Sequence, residues 1–217
     1  MYHWVEDKGF LKRSYSLCAD LVNQLVMNLK NYDVVASANI VGSKSRNMVT
    51  QNENGKIDFD FNLLVEDAED YEARWLKETV QKAFNEVLSR NELDDCDDST
   101  SALTTETIQF RKGNQTEFSI DVCIVKRDRY GLHRLIHEKT GIVQYDRYYW
   151  NLVSNSDRFQ EMEEALKPDY WQEVRDTYLN KKNMYLRRPL DHSHPSFVCY
   201  IEAVNEVYNN KKWQGLL

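Results

Sequence analysis

Two aspartates lie two residues apart in a segment that otherwise has the pattern of a buried strand. Asp58 and Asp60 stand in IDFDFNLLV, residues 57–65, where apolar residues occupy every second position. Alternate residues of a strand point to opposite sides, so both carboxylates project from one face. Like charges at this spacing are unfavourable without a cation between them, and hard divalent ions prefer oxygen ligands. The pair therefore predicts a metal site.

A third aspartate occurs in a second strand-like segment. Asp121 alternates with apolar residues in EFSIDVCIV, residues 117–125. If the two strands are neighbours in one sheet, Asp58, Asp60 and Asp121 form a cluster able to hold one or two Mg²⁺ or Mn²⁺ ions. Such clusters clamp the attacking and leaving oxygens in phosphoryl and nucleotidyl transfer. The alternative is a half-solvated sheet face carrying three unrelated aspartates.

A Gly-Ser pair upstream suggests where a phosphate would bind. The segment DVVASANIV, residues 33–41, has the composition of a strand and ends at Gly42 and Ser43. Glycine lets a backbone approach a ligand closely, and a helix beginning at Lys44 would turn free N–H groups and the Ser43 hydroxyl toward a phosphate. Lys44 and Arg46 could add positive charge for a triphosphate. The alternative is that both basic side chains are simply solvated.

Helical and turn patterns supply the elements that position these residues. Residues 11–29 have the three-to-four spacing of an amphipathic helix. A second such helix is predicted to bury Tyr71, Trp75, Val80, Phe84, Val87 and Leu88. Hairpins are predicted at residues 112–115 and 138–141, where glycine is available for a turn. The acidic segment 94–101 lacks periodicity and is predicted to be a solvated loop without chemistry.

The pattern changes near residue 151. Beyond it, apolar and aromatic residues recur only at helical spacings, and Pro195 is well placed for a helix's first turn. The predicted fold class is α/β (α+β): a mixed β-sheet core with flanking helices, followed by a small helical lobe. We expect a core domain over residues 1–150 and a helical lobe over residues 151–217 packed on it.

Composition limits the class of partner. The chain has 217 residues with 28 basic and 35 acidic side chains, a net charge of −7, so a broad electrostatic grip on long nucleic acid is disfavoured. A small molecule, a nucleotide or a protein hydroxyl is therefore favoured as a reaction partner. The N-terminal sequence has no signal-peptide pattern and no apolar run could span a bilayer, so we expect a cytoplasmic protein without membrane contact. The oligomeric state is not predicted.

The order strand, Gly-Ser, Asp-x-Asp strand and later Asp strand resembles the nucleotidyltransferase fold of the DNA polymerase beta superfamily. The branch it is most similar to holds oligoadenylate synthases, class I CCA-adding enzymes and bacterial cyclic-oligonucleotide synthases. By this resemblance Gly42 and Ser43 contact the donor phosphates and Asp58, Asp60 and Asp121 are catalytic metal ligands. The last of these would also help to activate the acceptor hydroxyl.

The sequence departs from the family after the Gly-Ser pair. Where the family often has an aromatic-Ala-Arg-Gly-Thr pattern, this chain keeps Arg46 and has Asn47 in place of the glycine. The resemblance also implies a cation and a stacking aromatic from the helical lobe. Lys182 is the candidate for nucleotide binding, with Lys181 beside it, and Tyr178 or Tyr200 are candidates for stacking. His192 and His194 are expected to have a capping or surface role rather than to bind metal.

Together these observations predict a Mg²⁺-dependent nucleotidyltransferase. It would move a nucleoside monophosphate from an NTP, with ATP among the candidate donors, to a hydroxyl acceptor and release pyrophosphate. One alternative is a catalytically silent nucleotide- or partner-binding module that retained the fold. Another keeps the metal cluster but uses water in place of the acceptor, as in a phosphodiesterase or nuclease.

Overall fold

We describe a computed structural model, in which residues 1–153, 157–167, 169–188 and 195–217 are covered. His192 and His194 lie outside the described residues. The chain forms two compact units. The sheet unit contains Val5–Val49 and Asn54–Ser154, and the helical unit contains Met1–Trp4, Thr50–Glu53 and Asn155–Leu217. The predicted boundary near residue 150 stays a prediction.

Strands and helices alternate in the first part of the chain and helices dominate the last. In chain order the elements are β1 (Tyr2–Trp4), α1 (Lys8–Leu29), β2 (Ala36–Ile40), α2 (Gly42–Ser45), β3 (Thr50–Asn52), β4 (Ile57–Val65), α3 (Ala73–Arg90), β5 (Asp97–Asp98), β6 (Leu103–Thr104), β7 (Phe118–Asp128), β8 (Gly131–Glu138), β9 (Arg147–Leu152), α4 (Asp157–Leu166), α5 (Trp171–Leu186) and α6 (Ser196–Trp213). Among the described residues, no helix is both long and apolar enough to cross a membrane.

The sheet unit is built on one mixed sheet of seven strands. The strand order is β2-β4-β7-β6-β5, and β8 pairs with both β7 and β9. The central pair β4 and β7 is parallel, whereas β2, β6 and β8 run antiparallel to their neighbours. The predicted fold class, a mixed sheet with flanking helices followed by a helical segment, is confirmed.

One face of the sheet forms the hydrophobic core with α1 and α3. The buried positions of β4 are Ile57, Phe59, Phe61, Leu63 and Val65, each at most 3% exposed. Burial of such side chains contributes about 1.5–3 kcal/mol each, which holds the strand in one register. Asp7 caps α1 by accepting a hydrogen bond from the Phe10 amide at 2.8 Å. The opposite face of the sheet carries polar residues and a smaller apolar cluster that includes Cys123 and Val125.

The helical unit joins the first residues of the chain to its last helices. Strands β1 and β3 pair antiparallel, with His3 opposite Gln51. Asn183 of α5 receives a hydrogen bond from the Tyr2 amide at 2.7 Å and donates one to the Tyr2 carbonyl at 2.9 Å. These paired bonds tie β1 to α5.

Two expectations about local structure were wrong. Trp75 is 42% exposed rather than buried, because it lies in the first turn of α3 and stacks on Tyr71 with ring centroids 5.3 Å apart. The acidic segment is not a solvated loop throughout, because Asp97–Asp98 forms β5. Asp98 there lies 3.0 Å from the buried ammonium of Lys77, which supplies its counter-charge.

Candidate functional site

The three predicted carboxylates lie on two neighbouring parallel strands. In the register of β4 and β7, Asp60 is opposite Asp121 and Asp58 is opposite Ser119. Residues opposite each other in a sheet project from the same face. The structure therefore brings Asp58, Asp60 and Asp121 to one side of the sheet, with the hydrophobic core on the other side.

Two hydroxyl groups orient the outer carboxylates. Ser119 donates a hydrogen bond to Oδ1 of Asp58, and Thr104 donates one to Oδ1 of Asp121, each at 2.6 Å. Short hydroxyl-to-carboxylate bonds are stronger than bonds between neutral groups. The ammonium of Lys56 is 3.8 Å from Asp58, but both side chains are 48% exposed and water screens the attraction.

The pKa of Asp60 is strongly raised within the cluster. Burial, and then the charges of Asp121 and Asp58, raise its pKa from 3.8 to about 6. Burial likewise raises the pKa of Asp121, although the hydrogen bond from Thr104 opposes this rise. Closely spaced carboxylates repel one another when both are ionised, unless a cation lies between them. The cluster thus has excess negative charge at neutral pH.

Gly42 is positioned directly against this cluster. Its φ is +66°, and a Cβ atom added there would lie 2.1 Å from Oδ2 of Asp60. A side chain is therefore excluded both by the left-handed backbone and by the carboxylate. The amide of Val41 also donates to the Asp60 carbonyl at 2.8 Å, which fixes the turn beside β4.

The residues after Gly42 form a tight turn with its own bonds. Helix α2 begins at Gly42 and spans four residues, rather than beginning at Lys44. Arg46 donates to the Gly42 carbonyl at 3.0 Å, and the Lys44 ammonium lies 5.3 Å from the centroid of the Tyr15 ring. Asn47 has φ +56°, a conformation that asparagine tolerates better than most residues. Asparagine can thus stand where the related pattern has glycine.

The carboxylate cluster fits a hard divalent ion by its chemistry. Its donors are all oxygen atoms. Burial and the two neighbouring carboxylates raise the pKa of Asp60, and the positive charges of Arg134 and Arg46 oppose that rise only in part. In the described ranges, however, no group of three or more His, Cys, Asp or Glu side chains is placed to hold a metal ion. The hydrogen bonds from Ser119 and Thr104 hold Asp58 and Asp121 in their present orientations. Each of these bonds uses one oxygen of the carboxylate, Oδ1.

The candidate residues from α5 and α6 have well-defined surroundings within the helical unit. The Lys182 ammonium donates to Thr50 at 2.8 Å and lies 3.9 Å from the centroid of the Tyr2 ring. Lys181 forms an ion pair with Glu206 at 2.7 Å. Tyr178 and Tyr200 are each 3% exposed. Nucleotide binding by Lys182 and stacking by either tyrosine stay predictions.

Sequence reasoning missed the hydroxyl groups that orient the carboxylates. Ser119 could have been found, because it alternates with Asp121 and so shares its face. Thr104 had no such signal, because it lies in a strand of two residues whose pairing to β7 is decided by tertiary structure.

No protein-family model and no curated protein matches the sequence. Among solved structures, the chain is similar to the CdnE c-di-GMP synthase of Capnocytophaga granulosa, with TM-score 0.57 and 14% identity over 94% of this chain and 62% of that one. It is also similar to the CdnE cyclic dinucleotide synthase of Elizabethkingia meningoseptica, solved with GTP and Apcpp, with TM-score 0.54 and 13% identity over 91% of this chain and 69% of that one.

A third similar structure is the 3'-deoxy GTP bound form of DncV from Vibrio cholerae, with TM-score 0.50 and 11% identity. The match covers 70% of this chain and 39% of DncV. The chain thus spans between 39% and 69% of the length of these three proteins. At these identities the likeness shows the fold. The structural neighbours are bacterial cyclic dinucleotide synthases, members of the nucleotidyltransferase superfamily, and the chain has the fold of that superfamily, of the DNA polymerase beta type.

Proposed function

We propose that the chain is a magnesium-dependent nucleotidyltransferase that moves a nucleoside monophosphate from an NTP to a hydroxyl acceptor. The observation that carries the proposal is the register that places Asp60 opposite Asp121, with Gly42 packed against Asp60. The structural neighbours solved with GTP or Apcpp support an NTP donor. A small molecule, a second nucleotide or a protein hydroxyl is the proposed acceptor class.

Each residue of the site would have its own role in the transfer. Asp58, Asp60 and Asp121 would hold the metal ions, and Gly42 and Ser43 would lie beside the donor phosphates. The ions, when bound, would neutralise charge on the triphosphate and on the leaving pyrophosphate. Burial makes Asp121 a stronger base than an ordinary aspartate, which suits it to take the proton of the attacking hydroxyl. A bond then forms from that oxygen to the α-phosphorus, and the bond to pyrophosphate breaks.

The test is incubation of the purified chain with each of the four NTPs and Mg²⁺ or Mn²⁺. Products are followed by mass spectrometry, beside the double variant Asp58→Asn/Asp60→Asn. The proposal predicts pyrophosphate and a new nucleotide species that are absent with the variant. Nucleotide release from a labelled oligonucleotide, without incorporation from NTP, would instead indicate a phosphodiesterase.

A second candidate is a silent nucleotide- or partner-binding module. It is favoured by one observation, namely that Asp58 and Asp121 are turned to Ser119 and Thr104 and that the described residues contain no preformed metal-binding group. NTP binding measured by calorimetry without pyrophosphate release, in the presence of all four NTPs, would support this function over transfer.

A further inference from the structure

His137 of β8 lies between two carboxylates within the sheet unit, and its side chain is only 7% exposed. Nδ1 of the ring is 2.5 Å from Oδ2 of Asp98 in β5, and Nε2 is 3.1 Å from Oδ2 of Asp146, which precedes β9. The ring stacks on Tyr148 with centroids 4.1 Å apart. His137 shares a sheet face with Leu135 of the hydrophobic core, so this arrangement is separate from the catalytic carboxylates.

Both carboxylates have further donors that favour their ionised forms. The Lys77 ammonium of α3 is 3.0 Å from Oδ1 of Asp98. Burial lowers the pKa of Lys77, and the contact with Asp98 opposes that fall. Oδ1 of Asp146 accepts hydrogen bonds from the amide and the hydroxyl of Thr140, at 2.7 and 3.0 Å. The pKa of Asp146 is lowered, chiefly by the Thr140 amide and also by the bond from His137, against the effect of burial. Each carboxylate is therefore an acceptor, and the ring must supply the proton at each contact.

Only a doubly protonated ring can donate to both carboxylates at once. A neutral imidazole has one N–H group, and its other nitrogen presents a lone pair. That lone pair would face a carboxylate oxygen, so repulsion between two acceptors would replace a hydrogen bond between charged groups. Histidine is the side chain whose charge ordinarily changes between about pH 5 and pH 8. The arrangement is therefore sensitive to pH.

Other charged groups near the ring, among the described residues, come from the end of β8 and from α3. The Lys139 ammonium donates to a backbone carbonyl of β5. The Arg74 guanidinium lies 5.7 Å from the centroid of the Tyr148 ring and is paired with Glu78 at 2.8 Å. Burial raises the pKa of Tyr148 above 10, so its phenol stays neutral. Lysine, arginine and glutamate ordinarily titrate outside the range in which histidine changes charge. The group whose charge changes here is therefore His137.

The two contacts of the ring are unequal. The contact with Asp98 is 0.6 Å shorter than the contact with Asp146. The shorter hydrogen bond is the stronger one, so the single proton of a neutral ring stays on Nδ1. Loss of the other proton therefore breaks the contact with Asp146 and leaves the contact with β5 in place.

The Asp146 contact holds the segment of residues 139–146, called here the 139–146 turn, to β8. Thr140 at the start of this turn is bonded to the Asp146 carboxylate, so the ring anchors both ends of the turn through one side chain. The turn carries three large apolar side chains that are each at least 54% exposed, namely Ile142, Val143 and Tyr145. Release of the turn would change how this apolar group is presented to solvent.

We propose that His137 is a pH-sensitive clasp, which holds the 139–146 turn to β8 when its ring is doubly protonated and releases the turn when the ring is neutral. The stabilising effect of the clasp is present at low pH and is lost as the pH rises through the titration of the ring. The clasp does not depend on nucleotide transfer and is tested without it.

The experiment follows amide hydrogen exchange and the ring ¹⁵N signals of the whole chain by NMR at pH 5.5, 7 and 8.5. The Thr140 amide reports on the turn, because it donates to Asp146. The His137 amide donates to the Thr100 carbonyl at 2.8 Å and is the internal reference. Each exchange rate is divided by the intrinsic rate at the same pH. The variant is His137→Gln, which cannot titrate.

His133→Gln is the matched control. His133 is also in β8, and its Nδ1 is 3.6 Å from a single carboxylate oxygen, that of Asp128. Its ring is therefore not placed between two acceptors as the ring of the clasp is.

Protection of the Thr140 amide in the native chain is expected to fall about tenfold from pH 5.5 to pH 8.5, with a smaller change at the His137 amide. The fall should coincide with the loss of one of the two ring N–H groups of His137. It should be absent in His137→Gln and present in His133→Gln. A change in global stability would alter both amides alike, so the difference between them isolates the turn.

Three results would overturn the inference. The first is a Thr140 protection that does not change with pH or that changes equally with the His137 amide. The second is a pH-dependent fall that persists in His137→Gln. The third is a His137 ring with the same protonation state at pH 5.5 and pH 8.5. The first and third are read in the native chain, so they decide the matter even if His137→Gln does not fold.

Discussion

Replacing Asp60 with asparagine is expected to stabilise the folded chain while abolishing nucleotide transfer. The carboxylate is buried beside Asp121 and Asp58, and its ionised form is disfavoured in the fold. Asparagine has nearly the same shape, so it removes the charge without opening a cavity or colliding with Gly42. A side chain that lowers the stability of the fold and is still present is expected at a functional site.

The size of the effect follows from the pKa. The pKa of Asp60 shifts from 3.8 in the unfolded chain to about 6 in the folded one. At about 1.4 kcal/mol for each pH unit, the charged side chain lowers the free energy of unfolding by about 3 kcal/mol above pH 6. The asparagine variant should recover most of this amount in metal-free buffer.

The pH dependence has a definite sign. Between pH 3.8 and about 6 the folded chain binds more protons at Asp60 than the unfolded chain does, so this group makes stability fall as the pH rises. The advantage of Asp60→Asn over the native chain should be largest at pH 7.5. It should shrink to roughly half at pH 5, where the native carboxyl is largely protonated in the fold.

The assay is urea unfolding followed by tryptophan fluorescence at pH 5 and pH 7.5, with EDTA present. Asp146→Asn is the matched control, because the pKa of Asp146 is lowered, chiefly by the hydrogen bond from the Thr140 amide, and neutralising it should reduce stability. Equal stability of Asp60→Asn and the native chain at pH 7.5 would refute the reasoning. A gain in the stability of Asp60→Asn that does not change with pH would also refute the reasoning. Added Mg²⁺ should stabilise the native chain alone.

Three further predictions concern the same unit. Gly42→Ala should abolish transfer and lower the melting temperature more than Gly141→Ala does. Both glycines have positive φ, but only a side chain at Gly42 would collide with a carboxylate. Equal losses of stability in the two variants would contradict this. Thr104→Val should move the acidic limb of the pH–rate profile to higher pH, since its hydrogen bond lowers the pKa of Asp121, and an unshifted limb would argue against it. Lys77→Ala should cost about 1–3 kcal/mol in urea unfolding, because it leaves the partly buried Asp98 with His137 as its remaining partner. No measurable loss of stability would contradict the role of the ion pair.

The local features of the site were predictable from sequence because they depend on short-range periodicity. The strand at residues 57–65 has the predicted bounds, and its alternation of apolar and polar residues places Asp58 and Asp60 on one face. Gly42 was also found at the end of a strand, as expected. The resemblance to the polymerase beta type of fold followed from the order of these same features and is confirmed at the level of fold.

Predictions failed where the placement of an element in the fold, rather than its periodicity, decides the environment. Trp75 has the helical spacing of a core residue, yet its position in the first turn of α3 leaves it on the surface against Tyr71. Asp98 stood in a stretch of charge without periodicity, but pairing of β5 with β6 brings it beside buried Lys77.

By itself the sequence determined which face of β4 is acidic, because the two-residue period of a strand is a property of the backbone. Only the tertiary structure decided that β7 lies beside β4 in parallel, which sets Asp121 opposite Asp60. Pairing of β6 with β7 brings Thr104 to Asp121, and pairing of β8 with β7 brings Arg134 to the acidic face. The physical reason is that strand pairing is chosen by burial of the opposite, apolar face over the whole sheet, and the polar face takes its arrangement from that choice.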